Sequence, residues 1–151
     1  MTARRFNHDP NPRDADDLRR ACIHEFAHLA VARHFGACGF VTIVPVAGKA
    51  GCYGGRFQMH GELSEQQWRI VALAGTIAEL IDTSPSIDPL AIFAHLRGSV
   101  LPLSTLDAQL AAGYEACDVA QCVEILRCVW TTVVADASER CGCATPDAGA
   151  I

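Results

Sequence analysis

The sequence predicts a mainly α-helical domain that carries one small β-hairpin. Apolar residues recur at helical spacing along most of the 151-residue chain. One segment beyond residue 38 is instead rich in β-branched residues and is followed by glycines, as in a hairpin. Ser and Asp residues also stand where helix N-termini are expected. The length suits a single domain, and the sequence contains no internal repeat.

We divide the chain into a flexible N-terminal arm (residues 1–13), one domain (residues 14–141) and a C-terminal tail (residues 142–151). The arm is polar and lacks the apolar core of a signal peptide. The formal net charge of −5 argues against nucleic acid as a partner. No apolar run approaches the roughly 18 residues that a membrane span needs. Because half of the chain is apolar, we expect apolar surface either at the interface of a homo-oligomer or in a substrate groove.

The eight cysteines are expected to be reduced and mostly structural. They form no Cys-x-x-Cys pair, and no secretory signal accompanies them. Cys117, Cys122 and Cys128 fall in an apolar helical pattern, where a thiol packs as a small hydrophobic group. These features predict a cytoplasmic protein in a reducing compartment.

The first helix is predicted from a group of acidic residues to a glycine. Asp14, Asp16 and Asp17 suit a helix N-terminus, where the helix dipole favours negative charge. Gly36 is a suitable C-terminal stop. Apolar residues recur between them at helical spacing: Leu18, Cys22, Phe26, Leu29 and Ala30.

This helix contains His24-Glu25-Phe26-Ala27-His28, the strongest functional signal in the chain. Only about 0.01 such patterns are expected by chance in a chain of this composition. Residues i and i+4 share one helix face, about 5–6 Å apart at Cβ. Both imidazoles can therefore hold one metal ion while the glutamate reaches a water on that ion. His34 falls on another face and is predicted to be a solvated or packing residue.

A β-hairpin is predicted after this helix. The first strand spans residues 39–46, and Pro45 should end it or place it on an edge because proline has no N–H to donate. A glycine-containing turn leads to a return strand over residues 52–59. Gly54 and Gly55 weaken that strand unless another backbone approaches closely there. The hairpin either covers the core or binds an extended peptide by strand addition.

The second helix is predicted over residues 68–81. Ser64 and Gln67 precede it with the pattern of a capping box. A face of small residues is suited to close packing on the first helix: Ala72, Ala74, Gly75 and Ala78.

Three further helices are predicted. Asp88 and Pro89 fit an N-cap followed by proline at the first helical position, in a helix that ends at Gly98. Ser104 begins another helix, and the last helix spans about residues 118–137.

In their order along the chain, these motifs resemble the peptidase domain of the FtsH-type zinc metalloproteases, family M41. The metal helix is followed by Val41-Thr-Ile-Val-Pro45 and a glycine-rich return, and then by the helix Ala72-Leu-Ala-Gly-Thr-Ile-Ala-Glu79-Leu. A later Asp opens a helix. The similarity covers roughly residues 18–115. It implies a helical zincin-like fold, Zn²⁺ as the cofactor and a polypeptide substrate.

The resemblance also implies which residues hold the metal. A catalytic zinc needs three protein ligands and one open position. His24 and His28 would be two of them, and in the family the third is an Asp near the start of a later helix. Asp107 is the first candidate by its spacing, with Asp88 and Glu79 as alternatives. The structural interpretations are an acid in a helix's first turn for Asp107 and an N-cap for Asp88.

The expected function is that of a zinc metalloendopeptidase of the HExxH type, which hydrolyses peptide bonds in unfolded or extended segments. Glu25 would be the catalytic base. The alternative is a catalytically silent, metal-stabilised interaction domain.

The chain departs from the family in two respects. Phe26 and Ala27 stand where the family has a pair of small residues. The ATP-binding motif Gly-x-x-x-x-Gly-Lys-[Ser/Thr] does not occur in this sequence. We therefore expect a stand-alone relative that hydrolyses peptides or unfolded segments rather than folded proteins, with a separate ATPase as a candidate partner.

Overall fold

A computed structural model describes residues 12–98 and 103–141. These residues contain a mainly α-helical fold with one two-stranded antiparallel sheet, as predicted. The helices are α1 (Pro12–His34), α2 (Glu65–Thr83), α3 (Pro89–Arg97), α4 (Thr105–Leu110) and α5 (Ala116–Cys141), and the strands are β1 (Cys38–Pro45) and β2 (Tyr53–His60). The predicted tail and residues 1–11 of the predicted arm lie outside the described residues.

The core lies between α1, α2 and α5, which all contact one another. Each helix turns an apolar face inward and leaves its polar face to solvent, as amphipathic helices do. The largest buried side chains come from all three helices and include Ile23, Val31, Leu73, Ile77, Leu126 and Val133. The two strands pack on α1, α4 packs on α2, and α3 packs on α5.

The end of α1 follows the predicted glycine signal. Gly36 has a φ angle of +85°, a left-handed conformation that glycine adopts without steric cost. The Ala37 N–H donates to the Ala32 carbonyl at 3.0 Å and so satisfies one of the last carbonyls of the helix. The chain then turns directly into β1. The helix begins at Pro12, which is earlier than predicted.

The hairpin has the predicted strands to within one residue at each end. Pro45 is the last residue of β1 and pairs with Tyr53, the first residue of β2. Ile43 points into the core, whereas Phe40 and Val44 on the opposite face are about half exposed. This alternation is expected for a strand with one buried face.

The capping box of α2 is confirmed. The Ser64 hydroxyl accepts a hydrogen bond from the Gln67 N–H at 3.2 Å, and the Gln67 side chain accepts one from the Ser64 N–H at 2.9 Å. The residues of the predicted small face are buried, and α2 packs on α1. Small residues allow the two helix axes to approach closely.

Helices α3 and α4 also begin at the predicted residues. The Asp88 carboxylate accepts a hydrogen bond from the Leu90 N–H at 2.6 Å at the start of α3, and Ser104 caps α4. No helix in the two described ranges, 12–98 and 103–141, is long and apolar enough to cross a membrane.

The cysteines of α5 are only partly as predicted. Cys122 is fully buried, and its burial raises the pKa of the thiol. Cys117 and Cys128 are exposed, so the prediction that they pack as small hydrophobic groups is wrong. The helix turns these two positions to solvent while Cys122 faces α2, where its thiol donates to the Ile70 carbonyl.

Candidate metal centre

Three of the predicted residues form a cluster that could hold a metal ion. His24, His28 and Asp107 each offer one ligand atom, and these atoms all lie within 4.8 Å of one another. Asp107 Oδ2 is 3.5 Å from His24 Nε2, and Asp107 Oδ1 is 3.7 Å from His28 Nε2. Tetrahedral zinc with bonds of about 2.0–2.2 Å separates its ligand atoms by about 3.3–3.6 Å. The two Asp107 contacts, which use different carboxylate oxygens, come close to this spacing, and two imidazoles with a carboxylate are donors that suit Zn²⁺.

The two imidazoles are held in the orientation that a shared metal requires. His24 Nδ1 lies 2.6 Å from Glu79 Oε1, and His28 Nδ1 lies 2.6 Å from the Val71 carbonyl oxygen. Because each Nδ1–H donates to an oxygen of α2, each Nε2 is directed toward Asp107. Such outer hydrogen bonds fix the ring orientation and the tautomer of metal-binding histidines.

The three carboxylates that were candidates for the third ligand have different places. Asp107 lies in the cluster, where Ser104 Oγ donates to its Oδ2 at 2.6 Å. Glu79 contacts the outer nitrogen of His24, so it orients a ligand. Asp88 is exposed and caps α3. The geometry therefore favours Asp107.

Two glycines make room for the site, and sequence reasoning missed this role. A Cβ at Gly75 on α2 would overlap the His24 ring, and a Cβ at Gly55 on β2 would overlap the Glu25 side chain. The sequence allowed for close approach of another backbone at Gly55, but the group that approaches is the Glu25 side chain. The Gly54-Gly55 pair was a usable signal, since glycine inside a strand indicates close approach of another group.

The histidines differ in charge when no metal is bound. Burial opposes protonation of His24, but hydrogen bonds to Asp107 and Glu79 outweigh it and raise the pKa of His24 to about 9. Burial and the charge of His24 lower the pKa of His28 to about 4. At neutral pH His24 is therefore a positively charged imidazolium between two carboxylates. A metal ion would replace its Nε2 proton.

The carboxylates of the site differ as well. Burial raises the pKa of Glu25, an effect that Asp107 and Glu79 strengthen and His24 opposes. Burial would also raise the pKa of Asp107, but the contacts with His24 and His28 lower it. A carboxylate with a raised pKa next to an ionised one is a recurrent feature of acid–base sites.

The cluster opens into a cavity of about 510 Å³ between β2 and α4. His24, Glu25, His28 and Asp107 line one part of it. The rest of the lining is mostly apolar and includes Phe57, Met59, Trp68, Val71, Leu106 and Leu110. A concave apolar surface with a few convergent polar groups is typical of a ligand-binding site.

His34 is exposed, as predicted, and its ring packs against Phe35. It is not among the residues of the cluster.

No protein-family model and no curated protein matches this chain. Its function is therefore inferred from the geometry and chemistry of the site.

Proposed function

We propose that this chain is a zinc metallopeptidase that hydrolyses peptide bonds in unfolded or extended polypeptide segments. The observation that carries the proposal is that His24, His28, Asp107 and Glu25 all line one cavity with apolar walls. Two imidazoles and a carboxylate form one of the protein ligand sets found in catalytic zinc sites, which leave one position open. The order of motifs, which resembles the FtsH-type family M41, supports a zincin-like domain.

Each residue has a distinct task in the proposed reaction. Zn²⁺ held by His24, His28 and Asp107 would polarise the scissile carbonyl and make the attacking water more acidic. Glu25 takes a proton from that water and delivers it to the leaving amine. The raised pKa of Glu25 suits both steps, because a more basic carboxylate accepts the proton of the water more readily and can then return it as an acid.

The hairpin provides a place for the substrate backbone. Residues 55–59 of β2 line the cavity, so this strand borders the cleft beside the ligands. An extended peptide can pair with such a strand through main-chain hydrogen bonds, while its side chains enter pockets. Binding of this kind requires an unfolded segment, which agrees with a peptidase that works on extended chains or with a separate ATPase that delivers them. We place this activity in the cytoplasm.

The test is to replace Glu25 by glutamine. Glu25→Gln keeps the size of the side chain and removes the base, so we expect zinc stoichiometry to be unchanged. Hydrolysis of casein or of quenched fluorescent peptides should fall about 10²–10⁴-fold. Glu124→Gln makes the same chemical change on the exposed surface of α5 and should retain full activity.

A wild-type chain that binds zinc but hydrolyses no peptide would instead support the silent interaction domain. Full activity of Glu25→Gln would mean that catalysis takes place elsewhere.

A further inference from the structure

A row of polar contacts connects the hairpin with the metal ligand His24. Asp17 Oδ2 accepts a hydrogen bond at 2.6 Å from the backbone N–H of Tyr53, the first residue of β2. Asp17 Oδ1 accepts two more from Arg20, at 3.0 and 3.2 Å. Arg20 Nη1 lies 3.4 Å from Glu79 Oε1, which is the same oxygen that contacts His24 Nδ1 at 2.6 Å.

We propose that Arg20 and Asp17 are positioning residues of the metal centre. Arg20 holds the Glu79 carboxylate against His24, and Asp17 holds Arg20 while it fixes the start of β2. The effect on metal binding rests on the candidate metal centre formed by His24, His28 and Asp107. The effect on peptide hydrolysis rests on the proposed function.

The geometry distinguishes this row from an ordinary surface ion pair. Asp17 and Arg20 are three residues apart on α1, so they face the same side and need little ordering to meet. The Asp17 carboxylate uses one oxygen for the guanidinium and the other for a backbone N–H. Charge-assisted hydrogen bonds of this kind are directional and restrict the groups that they join.

Arg20 also has a place from which it can direct Glu79. Glu79 Oε1 is shared between a guanidinium nitrogen and His24 Nδ1, so the position of Arg20 sets where the carboxylate stands. The Arg20 side chain is about half exposed, with a relative exposure of 49%. Exposed ion pairs add little to folding stability. A positioning role therefore predicts a loss of metal affinity without a matching loss of folding stability.

The experiment measures metal binding by the full-length protein with Arg20→Gln. Zinc affinity is obtained by competition with a chelator, and the visible absorption of the Co²⁺-substituted protein reports ligand geometry. Loss of a hydrogen-bond partner of a ligand typically lowers metal affinity about 10–100-fold. Arg20 is one step further away, so we expect a decrease on the order of three- to tenfold and a shifted Co²⁺ spectrum. Arg20→Lys should restore part of the affinity because it keeps the charge.

Arg33→Gln is the matched control. Arg33 is also on α1, its side chain is 52% exposed, and it pairs with an acid, Asp136, at 3.7 Å. This variant should match wild type in zinc affinity and in the Co²⁺ spectrum. Equal zinc affinities for Arg20→Gln and Arg33→Gln would overturn the proposal.

A double-mutant cycle tests the order of the contacts. If Arg20 acts through Glu79, then Arg20→Gln should lower zinc affinity in the wild-type background and have no further effect in Glu79→Gln. Additive losses would overturn the proposal, as would a chain that binds neither metal. Altered affinities in a chain that hydrolyses no peptide would support the positioning role while contradicting the proposed peptidase function.

Discussion

Asp107 on α4 brings a carboxylate to the two histidines of α1, and the three candidate ligand atoms all lie within 4.8 Å of one another. We expect Asp107→Ala to lower zinc affinity sharply, because two imidazoles alone leave the ion with too few protein ligands. Asp88→Ala should instead cost about 0.5–2 kcal/mol of stability through loss of the α3 cap and should keep metal binding. Chelator competition and thermal unfolding of both variants would measure this contrast. If Asp88→Ala lost zinc while Asp107→Ala bound it normally, the assignment of Asp107 as the third ligand would be wrong.

His24 also predicts how metal binding depends on pH. Its pKa is raised to about 9 in the metal-free protein, since contacts with Asp107 and Glu79 outweigh burial. His28, with a pKa of about 4, is neutral above that pH. Between about pH 4 and pH 9 binding must therefore displace one proton, and zinc affinity should rise about tenfold per pH unit in this window. Zinc titrations at several pH values would show this slope, and a flat profile would contradict it.

The sequence predicts the residues of the site better than their surroundings. His24, Glu25 and His28 can be identified from spacing alone, because a helix places i and i+4 on one face. The choice of Asp107 needed the resemblance to a family, since spacing does not show which later acid reaches the histidines. The roles of Gly55 and Gly75 depend on contacts between different elements, and no local pattern encodes those contacts.

At the scale of elements, α4 carries both a candidate metal ligand and a wall of the cleft. Asp107 points to the histidines, while Leu106 and Leu110 line the cavity opposite β2 and are 63% and 38% exposed. Exposed leucines beside a cleft are suited to bury an apolar side chain of a bound peptide. We therefore expect substrates with a bulky apolar residue next to the scissile bond.

The variant Leu106→Ser tests this substrate preference. It should raise KM about tenfold for a peptide with Phe beside the scissile bond, because burying such a side chain contributes about 1.5–3 kcal/mol. Zinc affinity should not change. Leu90→Ser is the control, because it makes the same substitution at a leucine on α3 that is 69% exposed. If the two variants had equal KM values, the apolar side chain of the substrate would bind away from Leu106.

The ends of the elements were predictable where local side chains define them. The capping box before α2, the Asp88 cap and Gly36 act within four residues, so the sequence shows them directly. The bounds of α5 were predicted too short, because tertiary packing on α1 and α2 extends a helix beyond its apolar repeat.

For the whole molecule, a bound metal would connect α1 with α4, which lie far apart in the sequence. A ligand that binds only the folded state stabilises it by about 2.7 kcal/mol at a free concentration 100 times its Kd. Chelation should therefore lower the Tm on the order of 5–10 °C. Hydrogen exchange should increase most in α4, which packs only on α2 among the strongly contacting pairs of described elements.

Asp107→Ala provides the control for this effect. Its Tm should not respond to zinc or to chelator, while that of Glu25→Gln should respond as wild type does. Equal responses of all three proteins would mean that zinc stabilises the fold through another site.

The way in which α2 accommodates the His24 side chain suggests how distant relatives of this chain can be recognised. Gly75 leaves space for the imidazole, and Glu79, one turn later, receives its outer N–H. Surface residues drift during evolution, but a methyl group at position 75 would overlap the His24 imidazole and force the ring to shift. We expect homologous sites to retain a Gly-x-x-x-Glu pair on the helix after the hairpin, even where the rest of the two sequences no longer aligns.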